Sequence, residues 1–186
     1  LYLRESPDLV HLKDEGGMTP LFYAAEKHHI PIMSILLSAG ADPNAVAEAH
    51  QDISPIHCVC QGGGDHGGEA VALLADHGAD LNATDKGGVT ALHMAVRDRN
   101  ADAVQALLTC GAHPDLEDKG RKSTPLRRAV ANTGRSGTGG KTDAAIEIVK
   151  LLMAHGADPN HVNRSGKRLR ESTRNPQIRA LLDKGP

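Results

Sequence analysis

The chain has 186 residues, with no Trp, one Phe and two Tyr, and its 21 Lys and Arg nearly balance 23 Asp and Glu. So few aromatic side chains leave little bulk for one round core, and no run of 18 apolar residues offers a membrane span. Three cysteines, an odd number at helical positions, point away from a disulfide framework and toward a reducing compartment, so a cytoplasmic location is expected, with no secretory signal at the start.

In chain order, Leu1 and Leu3 before Ser6-Pro7 read as the end of an outer helix, and residues 1–13 as an N-terminal cap or truncated unit. From Asp14 two motifs alternate. The first is Thr19-Pro20-Leu21-Phe22, which returns as Ser54-Pro55-Ile56-His57, Thr90-Ala91-Leu92-His93 and Thr124-Pro125-Leu126-Arg127, at spacings of 35, 36 and 34 residues. A fixed period of that size signals an array of stacked units. A Thr or Ser hydroxyl can accept an orphan backbone N–H and Pro has none to waste, so each motif opens a short apolar helix, as in Leu21, Ala24 and Ala25 or Leu92, Ala95 and Val96.

A second helix follows, as in 32–37 and 104–108, and ends in the second motif: Gly40-Ala41-Asp42-Pro43-Asn44, Gly78-Ala79-Asp80-Leu81-Asn82, Gly111-Ala112-His113-Pro114-Asp115 and Gly156-Ala157-Asp158-Pro159-Asn160. Glycine there supplies the left-handed residue that stops a helix. Asp-x-x-Gly at 14–17 and 85–88 then turns the chain into the next unit. The expected unit is turn, helix, loop, helix, over residues 14–46, 49–84, 85–117 and 118–162, with a charged, degenerate terminal unit at 163–186 suited to a solvent-facing cap.

With both motifs repeated four times, the chain resembles the ankyrin repeat family over nearly its whole length. The resemblance implies an all-α solenoid, a single domain of four repeats plus degenerate caps, with short turn fingers. Repeats two and four depart from it with Gly-rich insertions between their helices, at 62–68 and 133–142, read as flexible loops on the same side of the stack.

Three constellations could carry chemistry. Residues 135–142, Arg-Ser-Gly-Thr-Gly-Gly-Lys-Thr, approach the phosphate-binding form G-x-x-x-x-G-K-T but miss its first glycine and lack a preceding strand, so nucleotide or phosphate binding at 134–142 stands as the alternative reading. His57, Cys58, Cys60 and His66 are metal-ligand types, yet cysteines two apart on a helix point about 200° apart, and the resemblance gives His57 a structural hydrogen-bonding role. No metal and no cofactor are expected. The third constellation is charge: residues 1–117 hold 6 Lys and Arg against 17 Asp and Glu, and residues 118–186 hold 15 against 6. Arg121, Lys122, Arg127, Arg128, Arg164, Lys167, Arg168, Arg170 and Arg174 make a basic end, read either as a solvated cap or as a means of steering a partner.

No nucleophile, base or carboxylate pair stands outside the repeat pattern, so the chain is not expected to be an enzyme. The resemblance implies a protein-binding module, an adaptor, scaffold or inhibitor, that takes a protein or peptide on its concave face. The contact positions it implies are Glu15, Met18, Tyr23, Glu26 and Lys27; His50, Gln51, Ile53 and Gln61; Lys86, Val89, Arg97 and Asp98; and Lys122, Ser123, Arg128 and Asn132. Tyr23 beside Phe22 reads first as core filling and second as a contact, while Met18, Ile53 and Val89 read as an exposed apolar line along the turn tips. A monomer is expected, nucleic acid is disfavoured for want of an aromatic platform, and a regulatory segment of a larger protein is a further reading.

Overall fold

The computed structural model describes residues 7–61, 66–131 and 139–184. Four inner helices, α1 (Pro20–Glu26), α3 (Pro55–Val59), α5 (Ala91–Asp98) and α7 (Pro125–Val130), stack in one layer. Four outer helices, α2 (Ile30–Ser38), α4 (Gly67–Asp76), α6 (Ala101–Thr109) and α8 (Gly139–Ala154), stack in a second, and α9 (Pro176–Lys184) closes the array against α8. Among the described residues there is no strand, only isolated bridges between residues 47 and 53, 84 and 90, and 162 and 168 that pinch the fingers.

The helices start and stop where the motifs place them. Pro20, Pro55 and Pro125 occupy first helical positions after an extended Thr19, Ser54 or Thr124. Gly40, Gly78, Gly111 and Gly156 all have positive φ, from 83° to 98°, so that Ala41 N donates back to Leu36 O at 2.9 Å and Ala112 N to Leu107 O at 2.9 Å. At the finger bases, Asp14 Oδ1 accepts from the amides of Gly16 and Met18, and Asp85 Oδ1 from those of Gly87 and Val89, all at 2.8 Å. Repeat four absorbs its extra residue here: Asp118 N donates to Ser123 O, Asp118 Oδ1 accepts from Arg121 N at 2.7 Å, and Lys122 takes a φ of 51°.

The core lies between the layers. Leu21, Phe22, Met33, Ile56, Leu74, Leu92, Leu107, Leu126, Ile148 and Leu152 are fully buried, each stabilising by roughly 1.5–3 kcal/mol relative to exposure. Neighbouring units are tied by polar bonds repeating with the same register. Finger backbones join through Lys86 N to Gln51 O (2.9 Å), Lys119 N to Gly87 O (2.8 Å) and Arg164 N to Arg121 O (3.3 Å). The side chains of Asn44, Asn82 and Asp115 accept from Asp80 N, His113 N and Asp158 N of the following unit.

Several expectations are corrected here. Gly67 and Gly68 belong to the first turn of α4, not to a loop, and both are buried. A Cβ on Gly67 would lie 2.8 Å from Asn100 Nδ2, and on Gly68 2.7 Å from Asp102 Oδ2, so a larger residue at either position would displace these side chains of the next unit. Likewise α8 begins at Gly139, which puts 139–142 in a helix; the rest of that stretch, 133–138, and Gly62 to Asp65 lie outside the described residues, as do residues 1–6 and Asn132. The terminal unit keeps a vestige of the first motif: Leu169, in the 3-10 turn Leu169–Ser172, is fully buried.

Candidate partner-binding site

The histidines of the first motif are buried ties between units. Thr90 N donates to His93 Nδ1 at 3.2 Å, which leaves the proton on Nε2 to be donated to Ser123 O of the next unit at 2.8 Å. Burial pushes the imidazole down to about 4, so it is neutral near pH 7. His57 repeats the arrangement through Ser54 N (3.1 Å) and Val89 O (3.2 Å), and burial lowers it too.

Repeat four substitutes Arg127, read from the sequence as part of a solvated basic end. It is instead 6% exposed and donates to His161 O (2.8 Å), Lys167 O (2.9 Å) and Ser172 Oγ (2.9 Å), performing the histidine's task with a longer reach. Repeat one has Phe22, which packs but cannot bond, and the buried Thr19 hydroxyl has no hydrogen-bond partner among the described residues.

The contact positions divide by environment. Glu26, Lys27, Gln61, Arg97 and Asp98, at or beyond the C-terminal ends of three successive inner helices, meet around a depression of about 430 Å³ that His28 and Cys58 complete. Lys27 Nζ lies 3.3 Å from Glu26 Oε1, and Arg97 grips Asp98 through two bonds of 2.8 and 3.1 Å. Both charge signs are thus presented side by side.

Tyr23 is 49% exposed, so the core-filling expectation holds for Phe22 but not for Tyr23. Its hydroxyl donates to Asp14 Oδ2; this bond holds the Asp14 carboxyl below its usual range and pushes the phenol up. With Leu12, Met18, Ile32 and Leu36 it lines an apolar groove of about 670 Å³. The expected exposed line of Met18, Ile53 and Val89 is corrected: all three are half-buried and packed against the core.

Along the fingers Glu15, His50, Gln51, Lys86 and Lys122 are exposed, and Lys86 pairs with Asp52 at 3.4 Å. Ser123 is buried, its carbonyl taken by His93. Arg128 is half-buried and donates to Asp118 Oδ2 at 2.9 Å. Burial alone would raise the Asp118 carboxyl, but the Arg128 bond and the amide of Arg121 hold it below its usual value.

Sequence reasoning missed two ties at the edge of this face. His28 (φ 48°) and Arg99 (φ 62°) occupy the same register after an inner helix, and both reach the next unit: His28 Nε2 to Val59 O at 2.8 Å, Arg99 to Ala129 O at 3.0 Å. Residue type carried no signal for this role, because the left-handed backbone aims both side chains.

The four metal-ligand types are not gathered: both His57 nitrogens are engaged as above, and among the described residues no group of three His, Cys, Asp or Glu is arranged to hold an ion. Cys58 and Cys60 are buried, and desolvation pushes both thiols up, Cys58 to about 12, which keeps them protonated and inert at neutral pH. No helix among the described residues is long and apolar enough to cross a membrane.

Comparison with known proteins accords with this architecture. A family profile for ankyrin repeats in three copies matches residues 46–118, and one for a single ankyrin repeat matches 16–48 and 121–164. The chain is 35% identical over 115 residues to human transient receptor potential cation channel subfamily A member 1, covering 61% of this chain and 10% of that protein. It is 31% identical over 172 residues to the mouse B-cell lymphoma 3 protein homolog (90% and 36%), and 29% identical over 158 residues to putative ankyrin repeat protein L371 of Acanthamoeba polyphaga mimivirus (85% and 19%). It therefore spans from a tenth to about a third of these relatives. The crystal structure of the ankyrin repeat protein EF0377 superposes with a TM-score of 0.83 at 27% identity, covering 100% of this chain and 90% of that one. Ankyrin repeats are generally protein–protein interaction modules, and the relatives indicate no catalytic function. With the repeat register, the buried ties and the profile matches in agreement, the chain belongs to the ankyrin repeat family.

Proposed function

We propose that this array is a non-enzymatic binding module that takes a folded protein or extended peptide on its concave face, acting as a monomer in the cytoplasm. One observation carries the reading. Glu26, Lys27, Gln61, Arg97 and Asp98 come from three units into one depression, while the His, Thr and Ser beneath them are committed to holding the stack. A scaffold that is satisfied underneath leaves the surface positions free to vary with the partner. The mixed charges suit a partner with complementary ion pairs at its rim.

The test is affinity capture at low and high salt using the unmodified chain and a Lys27→Glu/Arg97→Glu double variant, with a photocrosslinking residue at position 61 to identify what sits on the face. The expected result is a discrete crosslinked protein whose capture falls about tenfold in the variant while the melting temperature is unchanged. Undiminished capture by the folded variant moves binding off this face.

A further inference from the structure

The fingers form a row, and the row is electrically polarised. At the first two tips Asp14, Glu15 and Glu48 are exposed. At the last two, Lys119, Arg121, Lys122, Arg164, Lys167 and Arg168 are all exposed, and the bond from Arg164 N to Arg121 O sets these two tips side by side. Between them lies a depression of about 600 Å³ lined by Lys122, Val162 and Arg164, with the carboxylates Glu117 and Asp158 at its wall. Val162, 48% exposed, bridges Arg168 across the terminal finger, so an apolar spot sits within the basic surround.

Neighbouring acids offset only part of this patch: Asp118 is spent on Arg128, and Glu117 and Asp158 line the depression against six exposed cations on the two tips. Glu117 is held by His161 at 2.8 Å and Lys122 at 3.9 Å, Asp118 by Arg128 at 2.9 Å, and Asp158 Oδ1 by Asn160 N at 2.8 Å. Arg121, Arg164, Lys167 and Arg168 make no ion pair among the described residues. Four uncompensated cations on two adjacent tips repel one another, which works against the fold and favours an anionic occupant.

We infer that the paired tips of the last two fingers dock an acidic peptide segment, its carboxylates on Arg121, Arg164, Lys167 and Arg168 and one small apolar side chain on Val162. Three of the four cations are arginines, whose planar forks bind carboxylates through two bonds. A protein segment fits better than nucleic acid: Asp14, Glu15 and Glu48 further along the row would repel a continuing phosphate backbone, and among the described residues no exposed aromatic ring accompanies the basic ones. This inference rests on the reading of the array as a protein-binding module and names the partner chemistry for one end of it.

The test is fluorescence anisotropy with a labelled peptide of alternating Glu and Asp around a central Val, its Gln/Asn counterpart, and duplex DNA and single-stranded RNA of similar length. The acidic peptide is expected to bind, to weaken about tenfold as salt rises from about 50 to about 300 mM, and to be lost in the Arg164→Gln/Lys167→Gln and Arg121→Gln/Arg168→Gln variants. Glu48→Gln leaves it intact. Binding equal to the Gln/Asn peptide, indifference to both cation variants in folded protein, or tighter binding of DNA or RNA through the same residues overturns the inference. The Lys27→Glu/Arg97→Glu variant separates the two readings: peptide binding indifferent to the fingers' cations while partner capture still depends on Arg97 sinks only this inference, and peptide binding lost with those cations while capture ignores Arg97 sinks only the concave-face reading.

Discussion

Repeat one and the later repeats share a register, yet equivalent positions meet opposite fates. Ile32 on α2 is 43% exposed, whereas its counterparts Ala70, Ala103 and Ile148 are all fully buried; Tyr23 is 49% exposed, whereas Cys58 and Met94 are 5% and 4% exposed. Each later unit has a whole helical pair laid on that face, while the first has, among the described residues, the single 3-10 turn Pro7–His11 against α1. Burial in a stack is therefore a property of position in the row as much as of side-chain type, and an apolar residue of the same register can be core in one unit and surface in another.

The sharpest way to break this comparison is to truncate the same position in both places. Ile148→Ala opens a cavity in the closed interior and is expected to cost about 3 kcal/mol, against less than about 1 kcal/mol for Ile32→Ala, read as shifts in urea unfolding. Equal costs would mean that the first face is as well packed as the interior.

The buried histidines sharpen the contrast next, since repeat one has none. His93 is held neutral in the fold, down to about 4, but titrates near 6.5 when unfolded. The unfolded chain thus takes up a proton first as pH falls. The stabilisation from His93 is fully present above about pH 6.5 and is lost progressively down to about pH 4, a loss on the order of 2–3 kcal/mol. Stability of the His93→Gln variant, measured across the same range, is expected to start lower at pH 7 and to slope less. An unchanged slope would place the acid sensitivity elsewhere.

Smaller effects separate structural arginines from surface ones. Arg128→Ala strands Asp118, which is 8% exposed, and is expected to cost about 1–2 kcal/mol. Arg97→Ala, whose side chain is half exposed, should cost under about 0.5 kcal/mol when both variants are compared by urea unfolding. A reversal of that order would exchange their roles.

Much of the fold was legible because it rests on local chemistry. A Thr, Ser or Pro at a helix start and a glycine at its end act through their own backbone, so Thr19-Pro20 and Gly40 could be read before any contact was known. The contact positions were legible in part: Gln61 and Arg97 do share a depression with Lys27, but Met18, Ile53 and Val89 are packed against the core, and residue type does not show which apolar side chains the neighbouring elements cover. Arg127 read as surface charge because nothing in its neighbours announces the three acceptors that lie 34 to 45 residues away.

The sequence by itself determined the period, the starts of the inner helices and the glycine stops of the outer ones, the all-helical repeat class and the opposite charges of the two ends, all of which follow from residues acting within one unit. Tertiary structure alone decided which apolar side chains became core, how closely Asn100 and Asp102 approach Gly67 and Gly68, and which cations remain unpaired. Those outcomes depend on the neighbouring unit, whose atoms arrive only when the stack closes.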